Sequence, residues 1–138
     1  MSDNLEDMLR RLRSLEPSNV LRIGNIAAGA IDFWSLRTTD EVIITGERRL
    51  HYLARHPEVL DDELLLLRAL LNPEEIHTNA FDTQLAIIYH RVNEYYALRI
   101  PVWISNREDR QNSVLSMRRA RYSEVERGRT LGRAVWRK

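Results

Sequence analysis

The chain has no cysteine, and a single lysine, Lys138, stands against twenty arginines. Without thiols there is neither a disulfide framework nor a thiolate metal site, so nothing in the sequence calls for an oxidising compartment. Aromatic residues make up 7% of the chain, and five glycines and four prolines are too few for a repetitive or low-complexity polymer. Long apolar runs are missing too. The longest aliphatic stretch, Leu64 to Leu67, is far short of the roughly 20 residues that a membrane span requires. Residues 1–15 carry charges throughout, unlike a signal peptide. These absences lead to the expectation of a cytoplasmic protein with no membrane attachment.

What is present is globular. Hydrophobic residues reach 43% and charged residues 30%, and 138 residues suit one domain large enough to bury a core. The net charge of +1 conceals an asymmetry: residues 107–138 hold ten basic groups against four acidic ones, while residues 1–106 hold eleven against sixteen. A basic end rich in planar guanidinium groups suits phosphate, although genome composition produces the same arginine bias without function.

Hydrophobic spacing divides the chain into elements. Leu5, Met8, Leu9, Leu12 and Leu15 repeat at helical intervals, so Asp3 is read as the cap of an amphipathic helix that Pro17 stops. Its apolar stripe seeks a surface, either within the chain or on a second copy. Val20 to Ile26 reads as extended, Ala27 to Leu36 as a helix and Val42 to Thr45 as a strand. A helix from Glu47 to Arg55 follows, ended by Pro57, and Glu63 to Leu71 is an almost wholly apolar helix at the centre of the core. Gln84 to Val92, Tyr95 to Ile104 and Ser113 to Arg121 read as three antiparallel strands, the first two joined by a tight hairpin at Asn93 and Glu94. Residues from Tyr122 to Gly128 look helical, and Thr130 to Lys138 form a basic tail without an assigned place.

The predicted class is α+β, with two to four helices packed on one face of a small antiparallel meander sheet of three to five strands. Three segments are expected: an amphipathic helix over 1–17, an α+β domain over 18–121 and a basic helix and tail over 122–138. Strand parity then sorts side chains. With Leu98, Ile100 and Val102 facing the helices, and with Leu85, Ile87 and Tyr89 chosen as inward, the open face is expected to carry His90, Arg99, Ser116 and Arg118. Trp103 and Tyr95 lie nearby as candidate stacking residues. Such a face suits a phosphodiester and its bases, and equally an ordinary solvated surface. His51 and His56 flank the stripe of the helix before Pro57, and His77 falls in a polar segment read as a turn with a structural role. None of the four histidines has a recognised metal spacing.

The run RIGNIAAGAIDFWSLRTTDEVIITGERRLHYLARHPE, Arg22 to Glu58, resembles the opening of phage-associated members of the barnase/EndoU/colicin/RelE-like ribonuclease superfamily. The leucine-rich helix ending in NPEEI, the hairpin YHRVNEYYALRIPVWI and the strand NSVLSMRRAR continue the resemblance across most of residues 22–121. Its most specific piece is LHYLARHPE, which carries His51 and His56. The resemblance implies a toxin-like, metal-independent endoribonuclease using no cofactor, with RNA as substrate and a cognate antitoxin or immunity protein as a further partner. It places Ser116 where a serine or threonine is usual. On this reading His51, His56 and Ser116 are the catalytic candidates, and His90, Arg99, Arg118 and Trp103 bind substrate. The 2′-OH of ribose would attack its own phosphate while imidazoles move protons and guanidinium groups hold the developing charge. A non-catalytic module of the same fold, binding RNA or protein, is the alternative, and a homodimer through the first helix is a further expectation.

Overall fold

Two strands of alternating pattern build the middle of the molecule. In the computed structural model, which describes residues 2–138 and side chains from Asn4 onward, Leu85–Arg91 (β4) pairs antiparallel with Tyr96–Trp103 (β5), from Leu85 opposite Trp103 to Arg91 opposite Ala97. The hairpin forms because the Asn93 side chain accepts hydrogen bonds from the backbone N–H groups of Tyr95 and Tyr96, at 2.8 and 2.9 Å, closing the turn locally. The cap expected of Asp3 lies outside the described side chains.

Before this hairpin come α1 (Ser2–Arg13), β1 (Val20–Asn25), β2 (Glu41–Thr45), α2 (Gly46–Arg55), a 3-10 turn over Pro57–Asp62, α3 (Glu63–Leu71) and β3 (Glu75–Thr78). After it come β6 (Asn112–Val114), β7 (Arg118–Arg121), α4 (Tyr122–Thr130) and β8 (Ala134–Arg137). The eight strands make one mixed sheet in the order β1-β2-β6-β5-β4-β3-β8, with β7 beside β5 further along the edge that β6 occupies. The β2–β6 pair is parallel and every other pair antiparallel. The α+β class is as expected, but the sheet is larger than the three to five strands predicted, and it is not a pure meander.

The core explains the helix placement. On one face of the sheet, here the inner face, Val42, Ile44, Ile76, Ile88, Leu98, Ile100 and Val102 meet Leu66, Leu67 and Leu70 of α3, all at most 2% exposed. The stripe of α1 joins the same cluster through fully buried Leu12 and partly buried Leu5, Met8 and Leu9, so this helix finds its surface inside the chain. Beneath α2, the buried Glu63 carboxylate accepts two hydrogen bonds from Arg49, at 2.7 and 2.8 Å, and one from the Tyr52 hydroxyl at 2.5 Å. Burial pushes the Tyr52 hydroxyl far above its ordinary pKa, so it stays a donor.

Three expectations fail for local reasons. Residues 27–36 are a chain of turns rather than a helix, with i to i−3 hydrogen bonds from Ala30, Asp32 and Trp34, and Gly29 sits at φ +87°. Buried Ile26, Ala30, Ile31 and Trp34 keep nearly helical spacing, which is why periodicity suggested a helix. The expected strand over 113–121 is two strands. Its break at 115–117 lies opposite Pro101, whose carbonyl accepts from the Leu115 N–H but which has no N–H to return to the ladder. Finally, helices do not pack on one face alone: α4 lies on the outer face, where Val125 and Tyr122 cover Ile87, Tyr89, Ala97 and Ala120. The tail also has a place, as edge strand β8 paired with β3. The three expected segments therefore share one sheet.

Candidate functional site

Directly paired residues project to the same face of a sheet, so the register of β3, β4, β5 and β7 defines a row of side chains. Arg118 is opposite Arg99, Arg99 opposite Tyr89, and Tyr89 opposite Glu75, all on the outer face. His77 lies one step along, opposite Ile87. Two arginines side by side repel, and α4 answers them by lowering Glu124 between them. The Arg118 guanidinium donates to both Glu124 oxygens at 3.0 Å, and the Tyr89 hydroxyl donates to Oε2 at 3.2 Å. Arg99 Nε is 3.4 Å from Oε2, close enough for ion pairing but misaligned for a hydrogen bond, and this buried N–H is left without a partner.

Around this cluster opens a pocket of roughly 300 Å³. Its floor is Ile87, Tyr89, Arg99 and Arg118, its walls come from Glu124, Arg127 and Gly128 of α4, and its mouth from Thr78 to Phe81 with Arg133. The pocket ion pairs join Glu124 to Arg99 and Arg118, and among the described residues Arg127 and Arg133 have none. Four guanidinium groups against one carboxylate make the pocket strongly cationic.

His77 is the buried member of the site. Its Nε2 lies 2.6 Å from Glu75 Oε2, its ring meets Tyr89 edge to face at 4.8 Å, and it is 2% exposed. Glu75 also accepts two hydrogen bonds from Arg129, at 2.8 and 2.5 Å. Burial pushes the Glu75 carboxyl up, but the Arg129 and His77 hydrogen bonds together outweigh it and hold the pKa below the ordinary carboxylate value. Burial likewise raises Tyr89, partly offset by Arg99. Gly128 permits this packing, since a Cβ there would overlap Nδ1 and Cε1 of the His77 ring. Glycine inside a helix costs about 1 kcal/mol against alanine, a cost offset here by close approach of α4 to the sheet.

The sequence-predicted residues divide across the molecule. Arg99 and Arg118 are brought together on one face, as parity foresaw. His90 is not with them: its register partner is Leu98, which gives it the parity of the inner face at the end of β4, and it is absent from the lining of the arginine pocket. The inward choice for β4 was inverted, because Ala86 and Ile88 join the main core while Ile87 and Tyr89 join the outer cluster. Trp103 shares the outer face but lies four residues from Arg99, about 13 Å along a strand, in another hollow with Ile43, Asp109 and Ser113. Tyr95 sits at the exposed hairpin turn.

His51 and His56 belong to the inner layer. His51 is on the exposed flank of α2, whose Tyr52 enters the main core, and His56 caps the C-terminus through its backbone N–H to the Tyr52 carbonyl at 2.7 Å. The sheet therefore separates both histidines from Arg99 and Arg118. Ser116 occupies the irregular link between β6 and β7 and is absent from the pocket lining. No group of three or more histidine, aspartate or glutamate side chains is placed to hold a metal ion among the described residues.

Sequence reasoning missed Glu124, Arg127, Arg133, Tyr89, His77 and Phe81. One signal was available. Strand β4 reads Leu-Ala-Ile-Ile-Tyr, apolar at both parities, and a strand apolar on both faces is covered on both. The segment from Tyr122 was the nearest available cover. No family model matches the chain, and neither a curated protein nor a solved structure matches it.

Proposed function

We propose that the chain binds RNA through the outer-face pocket, with Arg99, Arg118, Arg127 and Arg133 holding backbone phosphate. The observation that carries this reading is four guanidinium groups lining one concave site with a single carboxylate, two of those groups having no ion-pair partner among the described residues. An anion entering the pocket would meet the unpaired cations first and the buried Arg99 Nε last. The choice of RNA among polyanions rests on the resemblance of Arg22 to Glu58 to the ribonuclease superfamily. Should the chain act as a toxin, a cognate antitoxin would have this pocket to cover.

Binding of a fluorescein-labelled RNA decamer, followed by anisotropy across a salt series, tests the proposal. Four phosphate contacts on a single strand predict a slope of about −3 in log affinity against log salt. Changing both Arg127→Ala and Arg133→Ala, which disturbs no ion pair among the described residues, should weaken binding and bring the slope to about half that value. Salt-insensitive binding that ignores both changes would remove the pocket from consideration.

A second reading, metal-independent cleavage, is favoured by Glu124 lining the same pocket as the arginines. The Glu124 carboxylate would accept the 2′-OH proton as the 2′ oxygen attacks phosphorus. The 5′ oxygen would leave with a proton from water, and Arg99 and Arg118 would hold the charge on the phosphorane oxygens. This keeps the chemistry expected from the sequence and moves its base from His51 and His56 to Glu124 on the outer face. Incubation with RNA in EDTA distinguishes the readings, since cleavage yielding 2′,3′-cyclic phosphate ends supports the second and intact RNA the first.

A further inference from the structure

Phe81 is 98% exposed, while most other large apolar side chains of the protein lie in one of the two cores or pack against them. Its loop is not loose. The Asn79 side chain accepts hydrogen bonds from the backbone N–H groups of Phe81, at 2.8 Å, and Asp82, at 3.1 Å, and the Asp82 side chain accepts from Gln84 N at 2.9 Å. Successive side-chain turns of this kind preset the backbone and hold the ring outward. The ring stands at the mouth of the four-arginine pocket, where Thr78, Asn79 and Ala80 complete the rim. An aromatic face beside a cationic groove is the pairing that single-stranded nucleic acids demand, because each nucleotide offers one charge and one flat apolar surface.

We infer that Phe81 is a base-stacking subsite, and that the ligand of the adjoining pocket is a single strand whose phosphate enters among the arginines while a neighbouring base lies on the Phe81 ring. The inference rests on the RNA-binding reading above and narrows it to unpaired strands. In a duplex the bases stack on one another within the helix and offer no free face to the ring. The carboxylates of an acidic peptide would satisfy the arginines, but unlike a nucleotide they bring no flat surface with each charge to place on Phe81. Trp103 and Tyr95, the aromatics singled out from the sequence, do not line this pocket.

Three probes of equal length separate the possibilities: oligoadenylate, an abasic ribose-phosphate oligomer and a blunt RNA duplex. The wild-type chain should bind oligoadenylate roughly tenfold more tightly than the abasic oligomer and should prefer it to the duplex, since one stacked base contributes about that factor. Phe81→Ala should lose the preference for bases while binding the abasic oligomer as before, and Phe81→Trp should restore it. The exposed position of Phe81 keeps folding out of the comparison, which circular dichroism verifies. Equal binding of oligoadenylate and abasic oligomer by the wild type, or an unchanged affinity in Phe81→Ala, overturns the stacking subsite and leaves phosphate binding standing. Binding of none of the three probes overturns both proposals. Tighter binding of polyglutamate than of oligoadenylate would identify the pocket as a protein-docking site instead.

Discussion

Arg99 and Arg118 face each other across two hydrogen-bonded strands, an arrangement that persists because Glu124 stands between them. That carboxylate has two opposed effects. It neutralises a like-charge pair that would otherwise destabilise the sheet, and under the proposed RNA binding it competes with phosphate for the two guanidinium groups. Glu124→Gln should therefore lower the melting temperature by a few degrees, by analogy with the loss of about 1 kcal/mol from a half-exposed ion pair in a domain of this size. In the same variant, RNA affinity should rise several-fold, measured by anisotropy at low salt. If the protein cleaves RNA with Glu124 as base, the substitution abolishes cleavage while binding improves, which separates the residue's electrostatic role from its chemical one.

At the scale of elements, α4 is what converts a sheet face into a pocket. It packs through Val125 and Tyr122, lies close to β3 because Gly128 has no side chain, and is tied down by Arg129 on Glu75. Gly128→Ala would gain helix propensity in isolation, yet the added methyl must displace the His77 ring or the helix. The overlap should win, with destabilisation of about 1 to 3 kcal/mol in urea unfolding and weaker RNA binding, because Arg127 moves with the helix. A neutral or stabilising result would mean that α4 does not hold this position. Strand β3 shows why local reading failed here. Its four residues, Glu-Ile-His-Thr, carry no alternation strong enough to mark a strand, and Glu75 and His77 are tolerated in the interior because they pair with each other and Glu75 also with Arg129. Helix α3 is the opposite case: Leu64 to Leu67 with the Asn72-Pro73 stop left one interpretation, and Glu63–Leu71 is helical.

For the whole molecule, two groups withdrawn from water, His90 and Glu75, tie stability to acid. Burial lowers the His90 pKa below its ordinary 6.5, partly opposed by Glu74 and reinforced by Lys138 and Arg68, so between those two values the unfolded chain binds a proton that the folded chain does not. Stability should accordingly fall as pH drops through 6.5 toward the lowered value. Glu75, also held below its ordinary 4.5, adds a second loss as pH falls below that value. Thermal unfolding at pH 7.5, 5.5 and 4.0 should show both losses, and His90→Gln should remove the first while leaving the second. A melting temperature independent of pH between 7.5 and 5.5 would contradict the lowered pKa of the partly buried His90.

The sequence by itself determined the α+β class, the β4–β5 hairpin, the helices at both ends of the Pro57 turn and the shared direction of Arg99 and Arg118. Each of these follows from spacing, caps or parity within a short stretch of chain. Only the tertiary structure decided which face those arginines occupy relative to His51, His56 and His90, because that depends on strand register and on which layer each helix joins. The same holds for Glu124, Arg127, Arg133 and Phe81. Their meeting requires β3, β5, β7 and α4, drawn from across the chain, to pack around one row of side chains, and no local period records a contact between segments so far apart.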